Sequence, residues 1–163
     1  KRITERSAQS LTQLALELGR KSPNIVFADA DLERATIGTS TAAVFTGGAG
    51  QTCVAGSRLL IQATIYDEFI DRIRKHVGES VVLGNALDTS TTMGPIAFAE
   101  QYEKVRSYIE LGKKEGAEVV FGDCCGPDNF PTDSPLRDGY FVAPTLFLDP
   151  TNDLGRASRR PTV

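Results

Sequence analysis

Residues 23–32 read Pro-Asn-Ile-Val-Phe-Ala-Asp-Ala-Asp-Leu, so a chain breaker, an apolar run and two acidic residues follow one another directly. The apolar residues after Pro23 predict a short buried strand over 25–27. Asp29 or Asp31 then suits the start of a helix, because a carboxylate there accepts hydrogen bonds from the first free backbone N–H groups. The stretch therefore predicts a strand followed by a helix, which we place over roughly 32–45.

The same alternation continues in both directions along the chain. Upstream, apolar residues within 11–18 recur at the spacing of one helical face, which predicts an amphipathic helix that reaches Leu16. Downstream, the pattern predicts strands over 59–62 and 117–121 and helices over 66–77 and 98–112. Because each parallel strand pair needs a crossover that is normally a helix, we expect an α/β fold with a mainly parallel sheet.

The composition is that of an ordinary globular protein. Hydrophobic residues make up 40% of the 163 residues and charged residues 24%, which excludes disordered and collagen-like chains. Lys plus Arg number 18 against 21 Asp plus Glu, and this net charge of −3 predicts no nucleic-acid partner and no anionic membrane partner. No apolar run approaches the roughly 20 residues of a membrane-spanning helix, and no signal peptide is recognisable, so we expect a cytoplasmic protein.

Cysteine and histidine usage predicts no metal site. The three cysteines include the adjacent pair Cys124 and Cys125, which suits neither a disulfide framework nor two spaced chelating pairs. We therefore expect free thiols in a reducing compartment, and strained geometry disfavours a redox role for the adjacent pair. The one histidine, His76, has no cluster of ligating residues around it in sequence and is interpreted as a surface residue.

Cys53 ends a glycine-rich loop, residues 46–53, that reads Thr-Gly-Gly-Ala-Gly-Gln-Thr-Cys. Such a loop can present a thiol to solvent, and a nucleophilic thiol must be accessible and partly ionised. Free cysteine is also among the most buried residue types, so its position alone favours a buried structural role over a catalytic one, and residue chemistry does not decide between them. The loop lacks the Lys-Ser/Thr ending of a phosphate-binding loop, and we expect no nucleotide phosphate there.

Glu17 stands between two leucines in a segment that we expect to be largely buried. A buried carboxylate is costly unless it has a partner or a task, and general-base catalysis is one such task. The alternative is a glutamate at a helix end that reaches solvent or pairs with Arg20 or Lys21.

Three segments together resemble the NAD(P)-dependent aldehyde dehydrogenase superfamily. They are Leu16-Glu17-Leu18-Gly19, the stretch 21–31, and 50–58, which reads Gly-Gln-Thr-Cys-Val-Ala-Gly-Ser-Arg. Shorter matches continue with Met93-Gly94-Pro95, Glu115-Gly116-Ala117 and Gly139-Tyr140-Phe141, so the likeness covers about residues 1–153.

The resemblance implies roles for individual residues. Cys53 matches the family nucleophile, which attacks an aldehyde to give a thiohemiacetal that passes hydride to NAD or NADP and becomes a thioester. Glu17 matches the general base that activates the hydrolytic water, and Leu18 and Gly19 match cofactor-binding positions. The Cys53 backbone N–H is expected to supply part of an oxyanion site. The implied partners are a small-molecule aldehyde and a further copy of the chain in a homo-oligomer.

The sequence also departs from the family pattern. Arg20 stands where the family has a second glycine, and Gly47-Gly48 stand where many members carry an asparagine. The residues after Asp153 lack the Glu-Ile-Phe-Gly-Pro element that normally follows. By the resemblance, residues 1–19 are the end of the dinucleotide-binding domain and 20–163 an incomplete catalytic domain.

We therefore expect a truncated, frameshifted or proteolysed product with negligible turnover by itself. The alternative is a catalytically silent remnant that acts as a packing or oligomerisation module through its exposed sheet edges.

Overall fold

The computed structural model describes residues 1–19, 21–123 and 125–149. Its helices and strands are, in chain order, α1 (Arg2–Ser10), β1 (Pro23–Val26), α2 (Leu32–Thr39), β2 (Arg58–Ile61), α3 (Tyr66–Ser80), α4 (Ala99–Lys114), β3 (Glu118–Phe121) and β4 (Leu146–Leu148). Short 3-10 turns occupy Ala63–Ile65, Gly126–Asn129 and Pro135–Asp138. The predicted α/β fold is confirmed.

The strands form two pairs of opposite sense. β1 and β2 pair in parallel, with Pro23 opposite Arg58 at one end and Val26 opposite Ile61 at the other. β3 and β4 pair antiparallel, with Glu118 opposite Leu148. Their connection contains 3-10 turns and no crossover helix, which explains why this second pair departs from the parallel arrangement.

Helix α1 ends at Ser10 and does not reach Leu16, so that part of the prediction is wrong. Leu11 takes the left-handed conformation at φ 53° and its side chain is 90% exposed. No residue of α1 is buried. A helix this short draws most of its stability from packing, and without a covering surface the leucines beyond Ser10 do not extend it.

Helix α2 begins where the sequence predicts but ends earlier, at Thr39. The Asp31 carboxylate caps it by accepting two backbone hydrogen bonds from its first turn, both 3.1 Å long. Near the other end, the hydroxyls of Thr39 and Ser40 donate to carbonyls four residues earlier. Such hydroxyls compete with the helical ladder, and the residues up to 45 form turns instead.

Two apolar clusters hold the elements together. Helix α3 contributes the residues that its predicted face requires, and Phe69 is fully buried. The larger cluster consists of Val26, Phe45, Phe69, Ile73, Val77 and Met93, and the smaller one of Ile96, Tyr102, Ile109 and Val142. The larger cluster therefore anchors β1 and the residue that precedes the glycine-rich loop.

Candidate active site

The cysteine loop, residues 46–57, connects α2 to β2 through a series of tight turns. The backbone N–H of Ala49 donates to the Thr46 carbonyl, and that of Gln51 donates to the Gly48 carbonyl. Gly50 has φ +73°, and a Cβ there would lie 3.2 Å from the Val44 carbonyl oxygen. Position 50 therefore requires glycine for both its conformation and its space.

Cys53 is exposed and lies on the wall of a cleft of about 870 Å³. One side of this cleft is formed by β2 and the other by α4 and β4. Most of the lining is apolar, as in many small-molecule sites. The structural alternative of a buried cysteine is thereby excluded.

Two side chains at the entry to β1 hold the loop on both sides of Cys53. The Lys21 Nζ donates to the carbonyl oxygens of Gly50, at 2.7 Å, and Thr52, at 2.9 Å. The Asn24 Nδ2 donates to the Gly56 carbonyl oxygen at 3.2 Å. A Cβ at Gly56 would lie 2.3 Å from Asn24 Nδ2, so the two segments are in close contact.

Gln51 ties the loop to a second part of the chain. Its Nε2 donates to the Gly48 carbonyl oxygen at 2.9 Å, and its Oε1 accepts from the Ala97 backbone N–H at 3.1 Å. The Gly94 N–H also donates to the Gly47 carbonyl oxygen at 3.1 Å. The loop is therefore held from the side of β1 and from the segment that leads to α4.

The charge of Lys21 interacts with Cys53. Partial burial lowers the pKa of Lys21, and the electrostatic interaction with Cys53 opposes that shift by a smaller amount.

The other predicted site residues lie in the segment between α1 and β1. Gly19 lines the cleft together with Cys53, whereas Glu17 and Leu18 are not among the residues that line it. Glu17 is exposed, so the expectation of a buried carboxylate is wrong. The segment lacks the helical packing on which that expectation depended. Arg20 lies outside the described residues.

Among the described residues, His76 and Cys125 are not part of the cleft lining. His76 is half-buried rather than a surface residue, with its Nε2 3.0 Å from the Thr41 Oγ1 and its Nδ1 3.4 Å from the Ser80 Oγ. The backbone of Cys125 forms an isolated antiparallel β-bridge with Val142. Its neighbour Cys124 lies outside the described residues. Within the described ranges, no group of three His, Cys, Asp or Glu residues could hold a metal ion. No helix in that same part of the chain is long and apolar enough to span a membrane.

Sequence reasoning missed the contacts of Lys21, Asn24 and Gln51. From the sequence, Lys21 is predicted only as an ion-pair partner for Glu17. A hydrogen bond that joins a side chain to a backbone carbonyl 29 positions away leaves no periodic signal. The signal that could have found these contacts is the parallel register of β1 with β2, which places the residues before β1 beside the cysteine loop.

Comparison with known proteins matches residues 1–159 to the aldehyde dehydrogenase family. Hydroxyisobutyraldehyde dehydrogenase of Mycolicibacterium austroafricanum is 42% identical over 151 residues, which are 93% of this chain and 28% of that protein. Aldehyde dehydrogenase 1A1 of Bos taurus is 44% identical over 155 residues, with coverage of 94% and 28%. The crystal structure of betaine aldehyde dehydrogenase from Staphylococcus aureus in complex with NAD⁺ superposes with a TM-score of 0.80 at 35% identity, covering 99% of this chain and 30% of that one. The chain thus spans about three tenths of the length of these relatives.

Proposed function

The chain belongs to the aldehyde dehydrogenase family, and from that membership we propose that it carries the nucleophile and the general base of an enzyme that oxidises an aldehyde to a carboxylic acid with NAD or NADP. The observation that carries the proposal is the exposure of Cys53 on the wall of the cleft, in a loop held from both sides. Residues 1–19 would then be the end of the dinucleotide-binding domain, and 20–163 part of the catalytic domain.

In the proposed reaction the Cys53 sulfur forms a bond to the aldehyde carbon, and the carbonyl oxygen takes up the electron pair. The Cys53 backbone N–H stabilises that oxygen. After oxidation, the same sulfur holds the acyl group as a thioester. Glu17 takes a proton from water, the water oxygen attacks the thioester carbon, and the Cys53 thiolate leaves with the carboxylic acid released.

NAD or NADP supplies the hydride acceptor when it is bound. A solved relative in complex with NAD⁺ supports this assignment. Of the two matching positions, Gly19 reaches the cleft and Leu18 is 65% exposed outside it. Because only one of these two positions lies in the cleft, we expect negligible aldehyde oxidation by the 163-residue chain alone.

Acyl transfer tests the proposal without a cofactor. 4-Nitrophenyl acetate offers the carbonyl carbon to Cys53 and gives a thioester with release of nitrophenolate. We expect intact-mass and peptide analysis to place the acetyl group on Cys53, faster in the folded chain than in the urea-denatured chain. Cys53 is compared with itself in the denatured chain, because a comparison with Cys125 would report only that Cys125 is half-buried and Cys53 exposed. Equal rates in the folded and denatured chains would contradict the role of nucleophile.

Glu17 is tested by the second half of the same reaction. Glu17 is exposed and does not line the cleft, so its proposed role requires segment 12–19 to approach the Cys53 thioester. In that case we expect Glu17→Gln to slow hydrolysis of the thioester and to leave its formation unchanged, because only hydrolysis needs a proton acceptor for water. The matched control is Glu5→Gln, which removes the charge of a second exposed acidic residue; Glu5 lies on α1. Loss of the acetyl group at the same rate in both variants would remove Glu17 from the mechanism.

A second candidate function is a packing or oligomerisation module. The apolar cleft favours it, since exposed large side chains such as Leu60 and Phe98 line its wall. Sedimentation velocity over a range of concentrations tests it. Association without acylation of Cys53 would favour this module over the enzyme.

A further inference from the structure

Lys21 makes contacts that the proposed reaction does not use. Its ammonium donates to the carbonyl oxygens of Gly50 and Thr52, which flank Gln51 in the cysteine loop. Both distances, 2.7 and 2.9 Å, are those of charge-assisted hydrogen bonds. One side chain therefore fixes two peptide units immediately before Cys53.

The geometry points to Lys21 as a positioning residue for the proposed nucleophile: its ammonium binds the carbonyls of Gly50 and Thr52 and holds a positive charge next to the peptide unit that joins Thr52 to Cys53. The inference rests on the proposed role of Cys53. It adds a residue that acts through the loop and does not touch the substrate.

An ammonium suits this position for two reasons. It offers three N–H donors and no acceptor, so that it can serve two carbonyl oxygens together. Its charge also attracts an anion at Cys53, because the Thr52 carbonyl that it binds belongs to the peptide unit leading into Cys53. A methionine side chain of similar length would supply neither the donors nor the charge, and a glutamine would lack the charge.

Two other contacts hold the cysteine loop without Lys21. Asn24 holds Gly56 on the far side of Cys53, and Gln51 binds Ala97. Loss of Lys21 therefore frees the Gly50 and Thr52 carbonyls and leaves those other two contacts in place. The expected defect is local to the residues before the thiol.

Two alkylating reagents of different charge test the inference on the whole chain. Iodoacetate is an anion and iodoacetamide is neutral, so the ratio of their rates at one thiol reports the local charge. We expect Lys21→Met to lower this ratio at Cys53 several-fold and to leave it unchanged at Cys125. Lys21→Arg should restore the ratio, because the guanidinium also donates to two oxygens and keeps the charge. Lys75→Met is the control, since it removes an equally charged, exposed side chain from α3.

Hydrogen exchange supplies the positional readout. We expect faster exchange in peptides that cover 50–53 of Lys21→Met, with unchanged exchange in α3. An unchanged rate ratio together with unchanged exchange would overturn the inference, even if Cys53 acylates as proposed. If Lys21→Met does not fold, Lys21→Gln takes its place. Unfolding of both neutral variants would also overturn it, because Lys21 would then serve the whole fold.

Discussion

The cysteine loop and the segment 12–19 each carry one proposed catalytic residue, but they differ in how they pack against the rest of the chain. The loop is flanked by buried Phe45 and contains buried Ala55. The Lys21 side chain binds the loop from one segment, and the Ala97 backbone N–H donates to the loop's own Gln51 from another. Segment 12–19 contains no regular element, and Leu16, Glu17 and Leu18 are all exposed. The proposed nucleophile is thus positioned by contacts within the described residues, whereas the proposed base lies in a segment whose leucines are exposed.

Removal of the core beneath the loop should disturb the two regions unequally. Phe69 is fully buried in the cluster that also contains Phe45. We expect Phe69→Ala to lower the free energy of unfolding by about 3–5 kcal/mol, through lost burial and a residual cavity. Urea denaturation measures this loss, and hydrogen exchange should rise over 46–57 but not over 12–19. Leu87→Ala, at a side chain that is 91% exposed, is the control and should change stability by less than about 0.5 kcal/mol.

A steric probe addresses the contact between the loop and β1. Gly56→Ala would place a Cβ 2.3 Å from Asn24 Nδ2, and we expect a loss of about 1–3 kcal/mol by overpacking. Gly48→Ala is the matched control, since nothing lies within 4 Å of its Cβ position. The double variant Asn24→Ala/Gly56→Ala should lose less stability than the sum of the two single variants. Strict additivity would show that the two residues do not restrain each other.

The opposite region can be probed at the end of α1. Leu11 holds a left-handed conformation that favours glycine, so Leu11→Gly should stabilise the helix end by up to about 1 kcal/mol. Circular dichroism should show slightly greater helix content. Leu14→Gly, outside the helix and without a positive φ, should show no such gain. A loss of helicity in Leu11→Gly would mean that the leucine side chain itself holds the helix end.

The smallest effect on stability is expected at the proposed base. Glu17 is exposed in segment 12–19, so Glu17→Gln should change the free energy of unfolding by less than about 0.5 kcal/mol. Thermal denaturation of the variant beside the wild type measures this. A larger loss would mean that the segment packs against the body of the chain, and the contrast between the two regions would disappear.

Some of this arrangement was readable from the sequence. The helical spacing of Phe69, Ile73 and Val77 predicts α3 correctly, because one face of that helix is buried. The apolar runs also predict β1 and β2, with β1 beginning two residues earlier than predicted, at Pro23, and β2 shifted by one residue. The family resemblance identified Cys53 as the residue of interest, and its exposure agrees with that reading.

Other features depend on contacts that no local pattern reveals. Leucine spacing predicts a helix to Leu16, but a helical face forms only where a surface covers it. The burial expected for Glu17 failed for the same reason. The contact of Lys21 with Gly50 depends on strand register, which is set by the fold as a whole.

The parallel pairing of β1 with β2 also constrains the order of folding. Its hydrogen bonds join Pro23–Val26 to Arg58–Ile61, so they close a ring of chain that contains α2 and the cysteine loop. Such closure costs chain entropy before any contact compensates for it, and non-local pairing of this kind slows folding. Cys53 lies within this closed ring, so its position depends on the pairing of the two strands. A newly made chain cannot complete that pairing until Ile61 has been synthesised.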